Sequence, residues 1–72
     1  MKFTNTASRN IPLVPFLRRM AEINDVQINV LMIENGWDET TVDYELKGEE
    51  LNVQNFRESV ARSLQEYADR RV

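Results

Sequence analysis

Two alternating runs flank an Asn35–Gly36 dipeptide, and the parity of the residues between them constrains this chain more than any other feature. Val26, Ile28, Val30 and Met32 alternate with Gln27, Asn29, Leu31 and Ile33, and further on Val42, Tyr44 and Leu46 alternate with Thr41, Asp43, Glu45 and Lys47. Period-two alternation reads as two β-strands joined by a turn. Asn-Gly ordinarily marks a two-residue hairpin loop, but that loop pairs Glu34 with Trp37 and so sets Val30 opposite Thr41 and Ile28 opposite Asp43. The apolar face of one strand would then lie beside the polar face of the other, because a one-residue slip exchanges the faces. An odd loop of three or five residues repairs the match, with Gly36 in a left-handed or bulged position and Trp37 at or beside the loop.

The hairpin is flanked by helical patterns. From Pro12 the residues Leu13, Phe16, Leu17, Met20 and Ile23 fall at helical spacing, with Arg18, Arg19 and Glu22 on the other face. Pro12 and Pro15 fit only the start of a helix, which therefore runs from about Pro12 to Asn24. At the other end Val53, Phe56, Val60, Leu64 and Tyr67 form one stripe, and Glu58/Arg62, Arg62/Glu66 and Glu66/Arg70 are solvent-side pairs four residues apart. Asn55 with Glu58 resembles a capping box and is the favoured start; Asn52 as cap, with Leu51 and Phe56 as a hydrophobic staple, is the alternative. The Asn55 start leaves Leu51 to Val53 free as a very short third strand. Arg70 and Arg71 suit the negative end of the helix dipole. Met1 to Asn10 is polar, with only Phe3 to anchor it, and reads as a mobile arm or a weak edge strand. The expected architecture is α+β, an antiparallel sheet of two or three strands with two helices packed on one face, in the order α-β-β-(β)-α. Residues 1–11 form the mobile arm and 12–72 the single domain.

Seventy-two residues leave room for one small core. The 42% hydrophobic and 29% charged content is that of a folding chain rather than a disordered one. With no cysteine, disulfides and thiolate metal sites are excluded, which points to a reducing cytoplasm. The longest apolar run, Val30 to Ile33, is far too short to span a membrane. The net charge of −3 is unevenly spread: residues 1–24 balance to +3, 25–50 to −7 and 51–72 to +1. The hairpin is thus an acidic element between two mildly basic ones.

Chemistry is sparse. Without histidine the commonest general base and nitrogen ligand are missing, and Ser8, Ser59 and Ser63 have no base to activate them. No phosphate-binding loop, dinucleotide fingerprint or calcium-loop spacing is present. Asp38 and Glu39, with Glu34 across the turn, form a weak candidate for a cation, but a solvated acidic loop is the ordinary reading. No enzyme activity, metal or cofactor is expected. The α-β-β-β-α order resembles that of double-stranded RNA-binding domains, yet the last helix carries only Arg57 and Arg62 in its first half, with no lysine cluster. Direct nucleic-acid binding is disfavoured by the acidic hairpin, unless Arg9, Arg18 and Arg19 alone made the contact.

A protein partner is the better fit. Trp37, the only tryptophan, lies at the hairpin tip, where it either anchors a partner or folds back to cap the core. Asp38, Glu39, Asp43 and Glu45 suit a basic groove that normally holds nucleic acid. Phe3 and Arg9 in the arm, with Arg18 and Arg19 on the first helix, offer a second, basic surface. A chain of this size that begins MKFTNTASRNIPLVPFL, lacks cysteine and catalytic groups, and carries an acidic hairpin resembles the small phage-encoded proteins that bind host bacterial RNA polymerase. The likeness is of general character, so it assigns no residue. It implies a non-enzymatic inhibitor of transcription initiation in the host cell cytoplasm, acting stoichiometrically by occupying polymerase surfaces. The candidate contact residues are Phe3, Arg9, Arg18, Arg19, Trp37, Asp38 and Glu39. A small nucleic-acid-binding regulator is the alternative, and the chain is expected to be a monomer or a weak homodimer through an exposed sheet edge.

Overall fold

A computed structural model of the chain describes residues 1–69. Strand β1 (Lys2–Ser8) comes first, followed by helix α1 (Leu13–Ile23), strands β2 (Gln27–Asn35) and β3 (Glu39–Lys47), and helix α2 (Glu50–Asp69). The sheet has the order β1-β3-β2, with both outer strands antiparallel to β3. β1 and β2 are therefore parallel to one another with β3 inserted between them, a split β-α-β unit closed by a second helix. The α+β class and helix-covered antiparallel sheet are as expected, whereas the order is β-α-β-β-α rather than α-β-β-(β)-α.

The first correction concerns the mobile arm expected over residues 1–11, where the edge-strand alternative describes Lys2–Ser8. Lys2–Ser8 is an edge strand paired along its whole length, from Lys2 opposite Glu45 to Ser8 opposite Glu39. Met1 extends the ladder, its carbonyl accepting from the Leu46 N–H at 2.9 Å. Alternation explains the strand: Phe3, Asn5 and Ala7 lie opposite Tyr44, Val42 and Thr40, while Thr4 and Thr6 face away. On that outer side the Thr4 hydroxyl donates to Asp43 at 2.7 Å, and the Thr6 and Thr41 hydroxyls are 3.0 Å apart.

The second correction concerns α2, which begins at Glu50, so neither Asn55 nor Asn52 starts it and Leu51 to Val53 is helical rather than a strand. The Val53 N–H already bonds the Glu49 carbonyl at 3.0 Å. Val53 is buried with Phe56 and Val60 on one helical face, which a strand at that point could not achieve. Arg70 and Arg71, including the Glu66/Arg70 pair, lie outside the described residues.

The third correction concerns the hairpin. The parity conflict is real, but its remedy sits inside β2. The connection is three residues, Gly36 to Asp38, but Asn35 pairs with Thr40, and the faces are matched by Leu31, a bulge residue between Val30 and Met32. The extra residue brings Val30 opposite Tyr44 and Ile28 opposite Leu46, apolar against apolar. Gly36 is not left-handed.

The helix-facing side of β3, Val42, Tyr44 and Leu46, is buried against Leu13, Leu17 and Ala21 of α1 and Val53, Phe56 and Val60 of α2. Tyr44 is central. Its ring lies 6.1 Å from Phe3 and 5.9 Å edge-on from Phe56, and its hydroxyl donates to the Asn5 side-chain oxygen. Burial pushes the Tyr44 phenol up to about 12, with the Arg57 charge acting in the opposite direction.

α1 ends in a Schellman motif, with the Val26 N–H bonded to the Ala21 carbonyl at 3.0 Å and the Asp25 N–H to the Glu22 carbonyl at 3.3 Å. The turn requires a left-handed residue, and Asp25 supplies it at φ 55°.

Two predictions follow from these local features. Asp25→Gly removes the Cβ penalty of the left-handed conformation and should raise stability by about 0.5–1 kcal/mol in urea unfolding. Tyr44 holds its proton more tightly in the folded state, so its contribution is complete below its ordinary pKa of 10.0 and is lost as pH rises through about 12. Between those limits the wild type should lose on the order of 2–3 kcal/mol more stability than Tyr44→Phe, measured by denaturant titrations at stepped alkaline pH.

Candidate interaction surface

The distal end of the hairpin is held by the β1–α1 turn. Because Ser8 pairs with Glu39, the chain leaving β1 runs directly beside the loop. The Arg9 backbone N–H donates to the Asp38 carbonyl at 3.0 Å, and the Arg9 guanidinium reaches the Trp37 carbonyl at 3.5 Å. The loop is closed on itself by the Gly36 N–H to the Glu39 carbonyl at 2.7 Å and by the Thr40 hydroxyl to the Asn35 side-chain oxygen at 3.1 Å. These bonds fix the backbone and leave the side chains outward. Trp37 is 92% exposed, so it does not cap the core.

Ser8, Arg9, Asn10, Trp37, Asp38 and Glu39 line an open hollow of about 620 Å³. Its walls are polar apart from Trp37, unlike the mostly apolar cavities that enclose small ligands. Among the described residues there is no group of three or more acidic side chains placed to hold a metal ion. The chemistry available is one large aromatic surface, two carboxylates and one guanidinium on a braced loop.

The structure brings Arg9, Trp37, Asp38 and Glu39 together and places the other candidates elsewhere. Phe3 is half-buried against Tyr44 with the Arg57 guanidinium 4.8 Å above its ring, so it packs the domain. Arg18 and Arg19 are exposed on α1, and neither lines the hollow that Arg9 borders. Arg19 instead borders a shallow apolar groove of about 360 Å³ formed by Pro12, Pro15, Phe16, Met20 and Ile23. The sequence pattern does not reveal that groove, since it places Ile23 on the same apolar stripe as Leu13 and Leu17. The buried α1 stripe is Leu13, Leu17 and Ala21, and Ile23 is exposed.

A second exposed apolar group lies on the outer edge of the sheet, where Leu31, Met32 and Ile33 of β2 are about half exposed. No helix is long and apolar enough to cross a membrane among the described residues. The chain matches no protein-family model, and comparisons with curated proteins and with solved structures return no significant match.

With its ring in solvent, Trp37 contributes little to folding. Trp37→Ala should change unfolding free energy by less than about 0.5 kcal/mol. The wild-type fluorescence should have the red-shifted maximum of a hydrated indole and be quenched freely by acrylamide.

Proposed function

We propose that the chain is a non-enzymatic regulator that works by binding another protein through the end of the β2–β3 hairpin. The observation that carries this reading is the exposure of Trp37 on a loop whose backbone is already bonded. A large aromatic presented on a fixed loop loses little freedom on binding, and tryptophan is among the residues that dominate interface energetics. Asp38 and Glu39 beside it favour a partner with a basic surface and speed its encounter with the hairpin. The mechanism is occupancy: the hairpin end covers a surface that another macromolecule would use.

The narrower target is host bacterial RNA polymerase, with inhibition of transcription initiation as the outcome. It rests on the general likeness to phage-encoded polymerase inhibitors and on the suitability of an acidic hairpin for a groove that otherwise holds nucleic acid. Direct nucleic-acid binding has less support, since Arg9 shares its hollow with Asp38 and Glu39, whose charge repels a phosphate backbone.

Purified polymerase tests both levels. Wild-type protein should bind it without nucleic acid and repress initiation at stoichiometric amounts. Trp37→Ala should weaken binding by about 2 kcal/mol or more, roughly thirtyfold. Charge reversal at Asp38 and Glu39 should slow association and flatten its salt dependence. If polymerase is not bound but Trp37-dependent retention of another protein from nuclease-treated lysate is seen, the target is wrong and the binding mode stands. Retention of nucleic acid alone would overturn both.

A further inference from the structure

The two free edges of the sheet are built differently. β1 carries Lys2 and a run of Thr, Asn and Ser, the polar composition that discourages edge-to-edge pairing. β2 has one charged residue in nine, Glu34, and its segment Ile28 to Ile33 has neither charge nor proline. Leu31, Met32 and Ile33 on this edge are 46%, 54% and 48% exposed. An unpaired strand with such a segment is a template for another strand.

We infer that the β2 edge pairs with the β2 edge of a second copy, making a six-stranded sheet with all four helices on one side. The bulge decides the register. Ile28 and Val30 face the helices before it and Ile33 after it, because their partners are Leu46, Tyr44 and Val42. Asn29 before it and Met32 and Glu34 after it face the open side, opposite Glu45, Asp43 and Thr41. A twofold axis perpendicular to the sheet preserves these faces when Ile28 stands opposite Ile33 of the second copy, Asn29 opposite its Met32 and Gln27 opposite its Glu34. Apolar then meets apolar on the helix side, and no acid faces an acid. The β2 edge is thus complementary to its own copy in face and polarity, with Glu34 meeting the neutral amide of Gln27, whereas a foreign strand that set an acid opposite Glu34 would be repelled. Three half-exposed side chains and a strand edge fall short of the ~1,200 Å² typical of a tight specific interface, so the pair is weak and reversible. This surface is separate from the hairpin end, and its occupant does not depend on what Trp37 binds.

Sedimentation velocity over a concentration series tests the pairing. The wild type should pass from monomer to dimer at high micromolar concentration. Met32→Lys should be at least tenfold weaker in association with an unchanged melting temperature, since the new amine stands opposite Asp43 within its own sheet. The chain has no cysteine, so single substitutions report register cleanly. Asn29→Cys mixed with Met32→Cys should give a heterodimeric disulfide, because directly opposed residues are about 4.5–5.5 Å apart. Either variant alone should crosslink poorly, its two thiols lying about three residues apart along the ladder, roughly 10 Å. A protein that stays monomeric throughout overturns the second copy as occupant. So does a dimer that survives Met32→Lys but is lost in Phe16→Lys, which would put the contact on the α1 groove.

Discussion

Every element of this domain is held, directly or through one neighbour, by the central strand β3. Its two edges carry the pairings to β1 and β2, and its inner face carries Val42, Tyr44 and Leu46 into the core. Tyr44 is the residue on which these roles converge. Its ring packs between Phe3 of the first strand and Phe56 of the last helix, and its hydroxyl satisfies Asn5, a polar residue on the helix-facing side of β1. A phenol held in that position is costly to ionise, which ties the cohesion of both ends of the chain to one proton. In so small a core, the edge strand and the helix cannot be loosened independently.

The bulge at Leu31 is the second constraint, and it divides the hairpin into two regions. On the proximal side Ile28 and Val30 pack against the core. On the distal side the strand continues past the helical cover, and its side chains become exposed. One inserted residue therefore permits a hairpin whose base obeys the core and whose end is available for recognition. The loop could remain loose on that account, but Arg9 ties it to the start of α1. Projection and rigidity, usually in opposition, are combined by pairing the tip with the first strand.

The sequence made β2, β3 and both helices legible because each has a long, regular apolar period, although Ile23 and Tyr67 at the far ends of the expected stripes are exposed. β1 was legible only as one of two readings, arm or weak edge strand, because its helix-facing positions are Phe3, Asn5 and Ala7: the middle one is polar, and it is compensated by a hydroxyl 39 residues away. The start of α2 was misplaced because Asn55 and Glu58 mimic a capping box, although Val53 already belonged to the helical stripe and could not serve a strand as well. Parity showed that one extra residue was needed in the hairpin but could not show where, since a bulge and an odd loop satisfy the same count. The site suffered from the same omission as the fold. Arg9 adjoins Trp37 only through the pairing of Ser8 with Glu39, which disappears once the N-terminus is read as an arm.

The hairpin end and the β2 edge belong to the same strand, and their geometry relates them. The antiparallel pairing proposed across that edge would send the two hairpin loops to opposite ends of the shared ladder, their Asn35 ends separated by about the length of a nine-residue strand, roughly 30 Å. Such a dimer cannot seat both loops on one compact target, so it gains avidity only where two target surfaces are spaced to match. On a single-site partner the dimer presents the same loop as the monomer, with no gain in affinity per loop. If both proposals hold, self-association would leave the number of binding loops unchanged while setting their spacing, and would determine which assemblies can be bridged rather than how tightly one is held.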